Sequence, residues 1–325
     1  MSRRNILIFA VVLSVFVAAC LFLNQGRLTE KQNSGPYEIS VIIRGKNTES
    51  WTTIKEGIDQ AAKDLNCDIS FVTLSSENNT SEQIQLMQRE IANGADAVVI
   101  APVDTSDLEQ SVRAAMKSVP VVAMESTVAT IPSLPYVSCD NYRLGCAIAG
   151  KLLAKGRTVR RIAILRNSMN CSNIQQRYRG VLSVLQPTGD RIDYWTIPDD
   201  PQQAYDQSRS MLQKTDALAV VALDGATLEA AAKAERDLQR AGGRQVEIYG
   251  LGRTDTVVSL LENGVISSLG VENEFNIGYL SIQTAVNQIT RTNASAPRTQ
   301  VNFAIVDRTN MYNSDNQRLL FPLVQ

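Results

Sequence analysis

Asn93-Gly94-Ala95-Asp96-Ala97-Val98-Val99-Ile100-Ala101-Pro102-Val103-Asp104 is the stretch on which the reading of the fold turns. Ala97 to Ile100 is a short apolar run, rich in β-branched residues and bounded by Gly/Asp and Pro signals, which predicts a strand. Just before it, Ile84, Met87 and Ile91 recur at helical spacing. Working outward, further strand candidates are Ile39 to Ile43, Ile69 to Thr73, Val119 to Met124, Ile162 to Leu165, Ile192 to Thr196, Leu218 to Ala222, Val246 to Tyr249 and Ser267 to Val271. Amphipathic helices lie between them, such as the face of Trp51, Ile54, Ile58, Ala61 and Leu65. Strands alternating with helices predict an α/β protein built from right-handed βαβ units with parallel sheets. A chain of 325 residues with this many strands suits two sheets, each flanked by helices, better than one.

Composition removes whole classes of function. The chain has no histidine, which excludes Ser-His-Asp, Cys-His and His-based zinc chemistry and argues against an enzyme. With 32 Lys plus Arg against 33 Asp plus Glu, and no long run of one sign, nucleic acid is not the expected partner. Gly145-Cys-Ala-Ile-Ala-Gly150-Lys151 has the spacing of a phosphate-binding loop, but Leu152 brings no hydroxyl for magnesium and the intervening residues are helical in character. Gly250-Leu251-Gly252 is half a dinucleotide fingerprint, and it reads as a tight strand-to-helix turn. No cofactor is expected. The cysteines Cys67, Cys139, Cys146 and Cys171 fit no zinc spacing and read as small packing residues.

The N-terminus addresses the chain. Arg3 and Arg4 precede an apolar stretch from Ile6 to Leu23, so the arginines stay in the cytoplasm and the bulk of the chain lies outside. Val17-Ala18-Ala19-Cys20 also has the form of a lipoprotein cleavage box, with Cys20 as the lipidated residue, although Leu21-Phe22-Leu23 carries the apolar run past it. An uncleaved helix and a lipid anchor both tether the folded part to a membrane through the polar stretch Asn24 to Pro36.

In parallel sheets, ligands bind beyond the carboxyl ends of the strands. The residues there are Arg44 and Asn47 with Trp51, Glu125, Asn170 to Gln175, Asp199 and Asp200, Asp224, Arg253, and Glu272 with Asn273. Singly, each reads as a turn or cap residue; together they form the polar rim a ligand site needs. Trp51 is either a stacking platform or the head of the Ile54, Ile58 stripe.

From Glu38 to about Val306 the chain resembles the ribose- and galactose-type sugar-binding proteins of ABC transporters, whose type I periplasmic-binding fold lactose-type repressors share. The resemblance rests on Ile39-Ser-Val-Ile-Ile43, Lys55-Glu-Gly-Ile-Asp-Gln-Ala-Ala62, Asn93 to Pro102 with the Pro102-Val103-Asp104 loop, Val119-Pro-Val-Val122, Ser138-Cys-Asp-Asn-Tyr142, Gln176-Arg-Tyr-Arg-Gly180 and Phe275-Asn-Ile-Gly-Tyr279. It implies two Rossmann-like lobes, residues 37–139 with 273–301 and residues 140–272 with 302–325, joined by a three-crossing hinge near Asp140, Glu272 and Asn302. It places ligand contacts on Asn47, Trp51, Glu125, Gln175, Asp200, Asp224 and Glu272, and Arg253 completes the candidate set. The family often has Asp-Arg where Glu125-Ser126 stands, Arg where Gln175 stands and Asp where Gly252 stands. These departures leave an acid-rich pocket suited to a sugar of another shape, a polyol or a cationic solute. The function implied is an extracytoplasmic, monomeric solute-binding protein serving an ABC permease. The alternative is a receptor component that reports to a membrane sensor kinase or chemoreceptor. A repressor would need a basic helix-turn-helix where the apolar stretch stands.

Overall fold

The computed structural model describes residues 35–46, 49–154, 156, 161–167, 169–291 and 298–321. The apolar stretch Ile6 to Leu23, Cys20 and Asn47 lie outside them. Strand β1 (Tyr37–Ile42) leads through helix α1 (Thr52–Leu65) to β2 (Cys67–Val72), and α2 (Thr80–Ala92) leads to β3 (Ala97–Ile100). Next come α3 (Glu109–Ala115), β4 (Val121–Met124) and β5 (Tyr136–Cys139). The second set runs α4 (Asn141–Leu153), β6 (Arg161–Arg166), α5 (Ser172–Leu185), β7 (Arg191–Thr196), α6 (Pro201–Lys214) and β8 (Ala219–Ala222). It continues with α7 (Gly225–Arg240), β9 (Glu247–Leu251), α8 (Asp255–Glu262) and β10 (Ile266–Glu272). The chain closes with α9 (Glu274–Thr290), β11 (Arg298–Val301), β12 (Phe303–Val306) and α10 (Ser314–Leu320).

These strands form two six-stranded sheets, ordered β11-β5-β4-β3-β1-β2 and β12-β10-β9-β8-β6-β7. Within each, the first five strands in chain order follow the doubly wound 2-1-3-4-5 pattern, which makes the crevice between the first and third strands the expected ligand position. The described pairings are parallel except β12, which runs antiparallel to β10 with Leu269 opposite Val306. Central strands are buried on both faces, as Ala97-Val98-Val99-Ile100 and Ala219-Val220-Val221-Ala222 require of a parallel sheet covered by helices. The edge strands β2 and β7 are partly exposed, and there the apolar run gives way to Asp68, Arg191 and Asp193.

All nine sequence-predicted strands are present. Three were not foreseen: β5, β11 and β12, of which Arg298-Thr-Gln-Val301 carries too few apolar residues to announce itself. Strand β4 starts at Val121 because Pro120 has no N–H to give a ladder; its carbonyl still accepts from Val98 N at 2.9 Å. The chain passes from one sheet to the other between β5 and α4, between β10 and α9, and between β11 and β12, at Asp140, Asn273 and Asn302. Gly145-Cys-Ala-Ile-Ala-Gly150 lies inside α4, and Gly252, at φ 116°, makes the turn from β9 to α8. The four described cysteines are free thiols, with Cys67, Cys139 and Cys171 buried. Among the described residues no helix is long and apolar enough to cross a membrane.

Candidate ligand-binding cleft

The carboxyl ends of the two sheets gather a buried group of charges. Arg44, just after β1, donates from Nη1 to Glu125 Oε2 at 2.7 Å, and its guanidinium lies 5.3 Å from the centre of the Trp51 ring. Glu125, just after β4, has φ 58°, a left-handed conformation uncommon for a residue with a long side chain. The fold holds it there: Glu125 N donates to Val137 O at 2.9 Å, and its carbonyl accepts from Tyr136 Oη at 2.7 Å and Ser138 Oγ at 3.0 Å. Strain of this kind concentrates at functional positions, and here it turns the carboxylate toward Arg44.

Arg177 on α5 answers from the other sheet. Its Nε donates to Asn141 Oδ1 at 2.7 Å, its Nη1 to Leu223 O at 3.2 Å, and its Nη2 to Glu272 Oε1. Among the described residues, the buried Glu272 Oε2 has no hydrogen-bond partner. Asp224 caps α7, accepting from Thr227 N at 2.9 Å and Thr227 Oγ1 at 3.0 Å, and it feels both Arg44 and Arg177. Glu274, first residue of α9, is buried beside Glu272 and Glu125.

Burial pushes the Glu125, Asp224 and Glu274 carboxyls above their ordinary range, against the pull of the arginines. The Glu274 carboxyl is held well above its ordinary range, by burial first and then by the charges of Glu272 and Glu125. Burial lowers the guanidinium affinity of Arg44 for its proton, but Glu125 together with Cys171 and Asp224 more than restores it. Among the described residues no group of His, Cys, Asp and Glu could hold a metal ion.

The facing ends of the sheets touch. Thr127 N donates to Ser172 Oγ at 2.7 Å, Ser172 N donates to Ser126 Oγ at 2.9 Å, and Thr105 N donates to Asn170 O at 3.1 Å. Arg253 bridges as well, its Nη1 donating to Thr53 Oγ1 at 3.1 Å, its Nε to Leu320 O at 3.0 Å and its Nη2 to Asp255 at 2.6 Å. The lobes are therefore closed on one another, with the charges enclosed.

The candidates from sequence divide accordingly. Glu125, Asp224 and Glu272 lie in the enclosed group, and Trp51 stands at its edge, 5 % exposed and stacked by Arg44. Arg253 is buried, with each of its nitrogens donating to a protein acceptor. Gln175, in the first turn of α5, donates back to Met169 O at 2.9 Å in the preceding loop, and Asp200 is an exposed cap accepting from Gln203 N at 2.9 Å. Arg177 and Glu274 were missed. Arg177 sits in Gln-Arg-Tyr-Arg-Gly, which reads as a solvated helix face, and an acid in a first helical turn reads as a complement to the dipole. An open hollow of about 620 Å³ lined by Arg161, Trp195 and Lys214 lies along the β6–β7 edge, apart from this group.

Comparison with known proteins agrees with this fold. The D-ribose/D-allose-binding protein of Pseudomonas aeruginosa is 26% identical over 88% of this chain and 90% of its own. A carbohydrate transporter solute-binding protein from Agrobacterium radiobacter, solved with D-arabinose, superposes with a TM-score of 0.81 at 20% identity, covering 89% of this chain and all of the other (100%). The solved XylFII–LytSN complex matches with a TM-score of 0.76 at 20% identity, covering 84% and 98%. The periplasmic binding protein domain model matches residues 39–293, and the chain belongs to that family.

Proposed function

We propose that the chain captures a small sugar-like solute between its two sheets and presents it, outside the cytoplasmic membrane, to an ABC transporter. The observation that carries this reading is the enclosed set of planar groups at the strand ends: Arg44 paired with Glu125 over Trp51, facing Asp224, Arg177 and Glu272. Carboxylates and guanidiniums each make two directed hydrogen bonds, which suits neighbouring hydroxyls, and an aromatic face suits a ring's apolar side. The relatives named for ribose, allose and arabinose support the same class of solute. The reaction is binding alone, by a monomer, with the solute recovered unchanged.

Asn47, Trp51, Glu125, Asp224 and Glu272 are the proposed contacts, while Gln175, Asp200 and Arg253 serve the frame of the cleft. The stretch Ile6 to Leu23 serves as the tether, as a helix or through lipid on Cys20. Calorimetry of the purified protein against pentoses, hexoses and polyols tests the reading; a ligand at ~100 times its dissociation constant adds ~2.7 kcal/mol of stability. Trp51→Ala and Asp224→Ala should each weaken that binding, Asp224→Ala by ~2 kcal/mol. Unchanged affinity with a lowered melting temperature in both variants would return these residues to the scaffold.

A second reading, a ligand-binding receptor component, is favoured by the likeness to the XylFII–LytSN complex. Loss of solute uptake in a deletion strain supports the transport reading. Intact uptake with a lost response to the solute supports the second.

A further inference from the structure

Glu274 is 8 % exposed, and among the described residues nothing donates a hydrogen bond to its carboxylate. Two residues before it, Glu272 Oε2 is fully buried and, among the described residues, has no hydrogen-bond partner. The cations that act on Glu274 are Arg253 and Arg177, and each of their nitrogens already donates once elsewhere: Arg177 to Asn141, Leu223 O and Glu272, Arg253 to Leu320 O, Thr53 and Asp255. Buried acceptors without donors, and a buried anion without a partner, are costly. Among the described residues, the demand for donors and for positive charge is therefore unmet at one place, where β10 hands over to α9.

Resting on the solute-binding reading above, we propose that the solute recognised here carries an amine, as an amino sugar or amino polyol does, and that its ammonium donates to Glu274 and to the free oxygen of Glu272. A hydroxyl brings one proton and no charge, so it can satisfy one of these acceptors. An ammonium brings three donors and a positive charge, so it serves both and offsets the repulsion among Glu272, Glu274 and Glu125. The remaining groups, Arg44, Glu125 and Asp224, are left for the hydroxyls.

Calorimetry at neutral pH with matched pairs tests this: D-glucosamine against D-glucose, D-galactosamine against D-galactose, and D-glucamine against D-glucitol, with N-acetyl-D-glucosamine as the uncharged control. At least one amine should bind about tenfold or more tighter than its hydroxyl parent, the usual worth of a charge-assisted bond, and acetylation should remove the gain. Glu274→Gln should collapse the amine-to-hydroxyl ratio, and Glu274→Asp should keep part of it. Parents that bind as tightly as their amines overturn the inference and leave the sugar reading standing. A ratio that survives Glu274→Gln overturns the assignment to Glu274. If no member of the panel binds, the amine inference falls, and the sugar reading falls with it only if the pentoses, hexoses and polyols also fail to bind.

Discussion

Helices α4 and α5 of one lobe cross where Gly145 faces Gly180; helices α9 and α1 of the other cross where Gly278 faces Gly57. A methyl group on Gly145 would lie 2.2 Å from Arg177 O and one on Gly180 2.1 Å from Tyr142 O. On Gly278 it would lie 2.0 Å from Ile54 O, and on Gly57 2.0 Å from Phe275 O. In both lobes each glycine thus receives the carbonyl that stands three residues before its opposite number. The packing is the same device built twice. What differs is the residue beside it. Three before Gly180 is Arg177, which donates to Asn141 at the start of α4 and to Glu272. Three before Gly57 is Ile54, wholly buried and without a side-chain donor, and Glu274 at the start of α9 has no hydrogen-bond partner among the described residues. The scaffold repeats because backbone contact constrains it, whereas the chemistry at the cleft varies because only a ligand constrains that.

The largest expected effect comes from breaking the satisfied side. Arg177→Met leaves Glu272 buried without its cation, and removal of one partner from such a pair costs ~3–5 kcal/mol. Urea unfolding at pH 7 measures it; a loss under ~1 kcal/mol would mean that Glu272 relaxes to solvent, and the contrast with Glu274 would vanish.

Next come the glycines. Gly145→Ala and Gly278→Ala each force a methyl against a backbone oxygen and should each cost ~1–3 kcal/mol by overpacking. If the device is the same in both lobes, the two losses should match within experimental error. A neutral change in one alone would show that one helix pair slides apart without penalty.

This duplication was half legible. The spacing of Ile54, Ile58 and Ala61 gave the buried face of α1, and the helical character of Gly145 to Gly150 was enough to set aside a phosphate loop. Apolar runs such as Ala97 to Ile100 declare a buried parallel strand because burial on both faces leaves no alternation to misread. Strands β11 and β12 were silent, since an edge strand such as Arg298-Thr-Gln-Val301 is held by its ladder to β5 rather than by its own hydrophobicity. In the cleft, Glu125, Asp224 and Glu272 were legible as strand-end residues. Arg177 and Glu274 were not, because a charge inside a helix declares nothing about which way it faces until the helix is packed.

A smaller effect should follow from the unsatisfied side. Burial, with Glu272 and Glu125 nearby, raises the Glu274 carboxyl above its ordinary 4.5 in the folded protein; Arg253 and Arg177 oppose the rise. A raised folded value means that the folded chain holds its proton while the unfolded chain releases it. Stability from this group is therefore complete below pH 4.5 and is lost as pH rises through the folded value. Glu125 and Asp224 add the same sign. Glu274→Gln removes one contributor, so the variant should equal the parent in acid and be the more stable of the two as pH climbs. Parallel stability curves from pH 4 to 8 would show that Glu274 carries no uncompensated charge.

The smallest effect tests the two crossings themselves. Asp140 caps α4 by accepting from Arg143 N at 3.0 Å, and Asn273 caps α9 by accepting from Asn276 N, also at 3.0 Å. The geometry is equal, and a charged cap normally gains a few tenths of a kcal/mol from the helix dipole. Asp140→Asn should therefore lose about 0.3–1 kcal/mol, less in high salt because the carboxylate is exposed enough to be screened. By the dipole alone, Asn273→Asp should gain as much. It sits, however, between Glu272 and Glu274, both buried and the second without a hydrogen-bond partner among the described residues, so a third carboxylate adds repulsion at short range. The expected outcome is a loss at both crossings, with that at Asn273 shrinking as pH falls and Glu274 takes up its proton. A gain from Asn273→Asp at neutral pH would mean that Glu274 is already neutral there, and the charge contrast between the lobes would have to be redrawn.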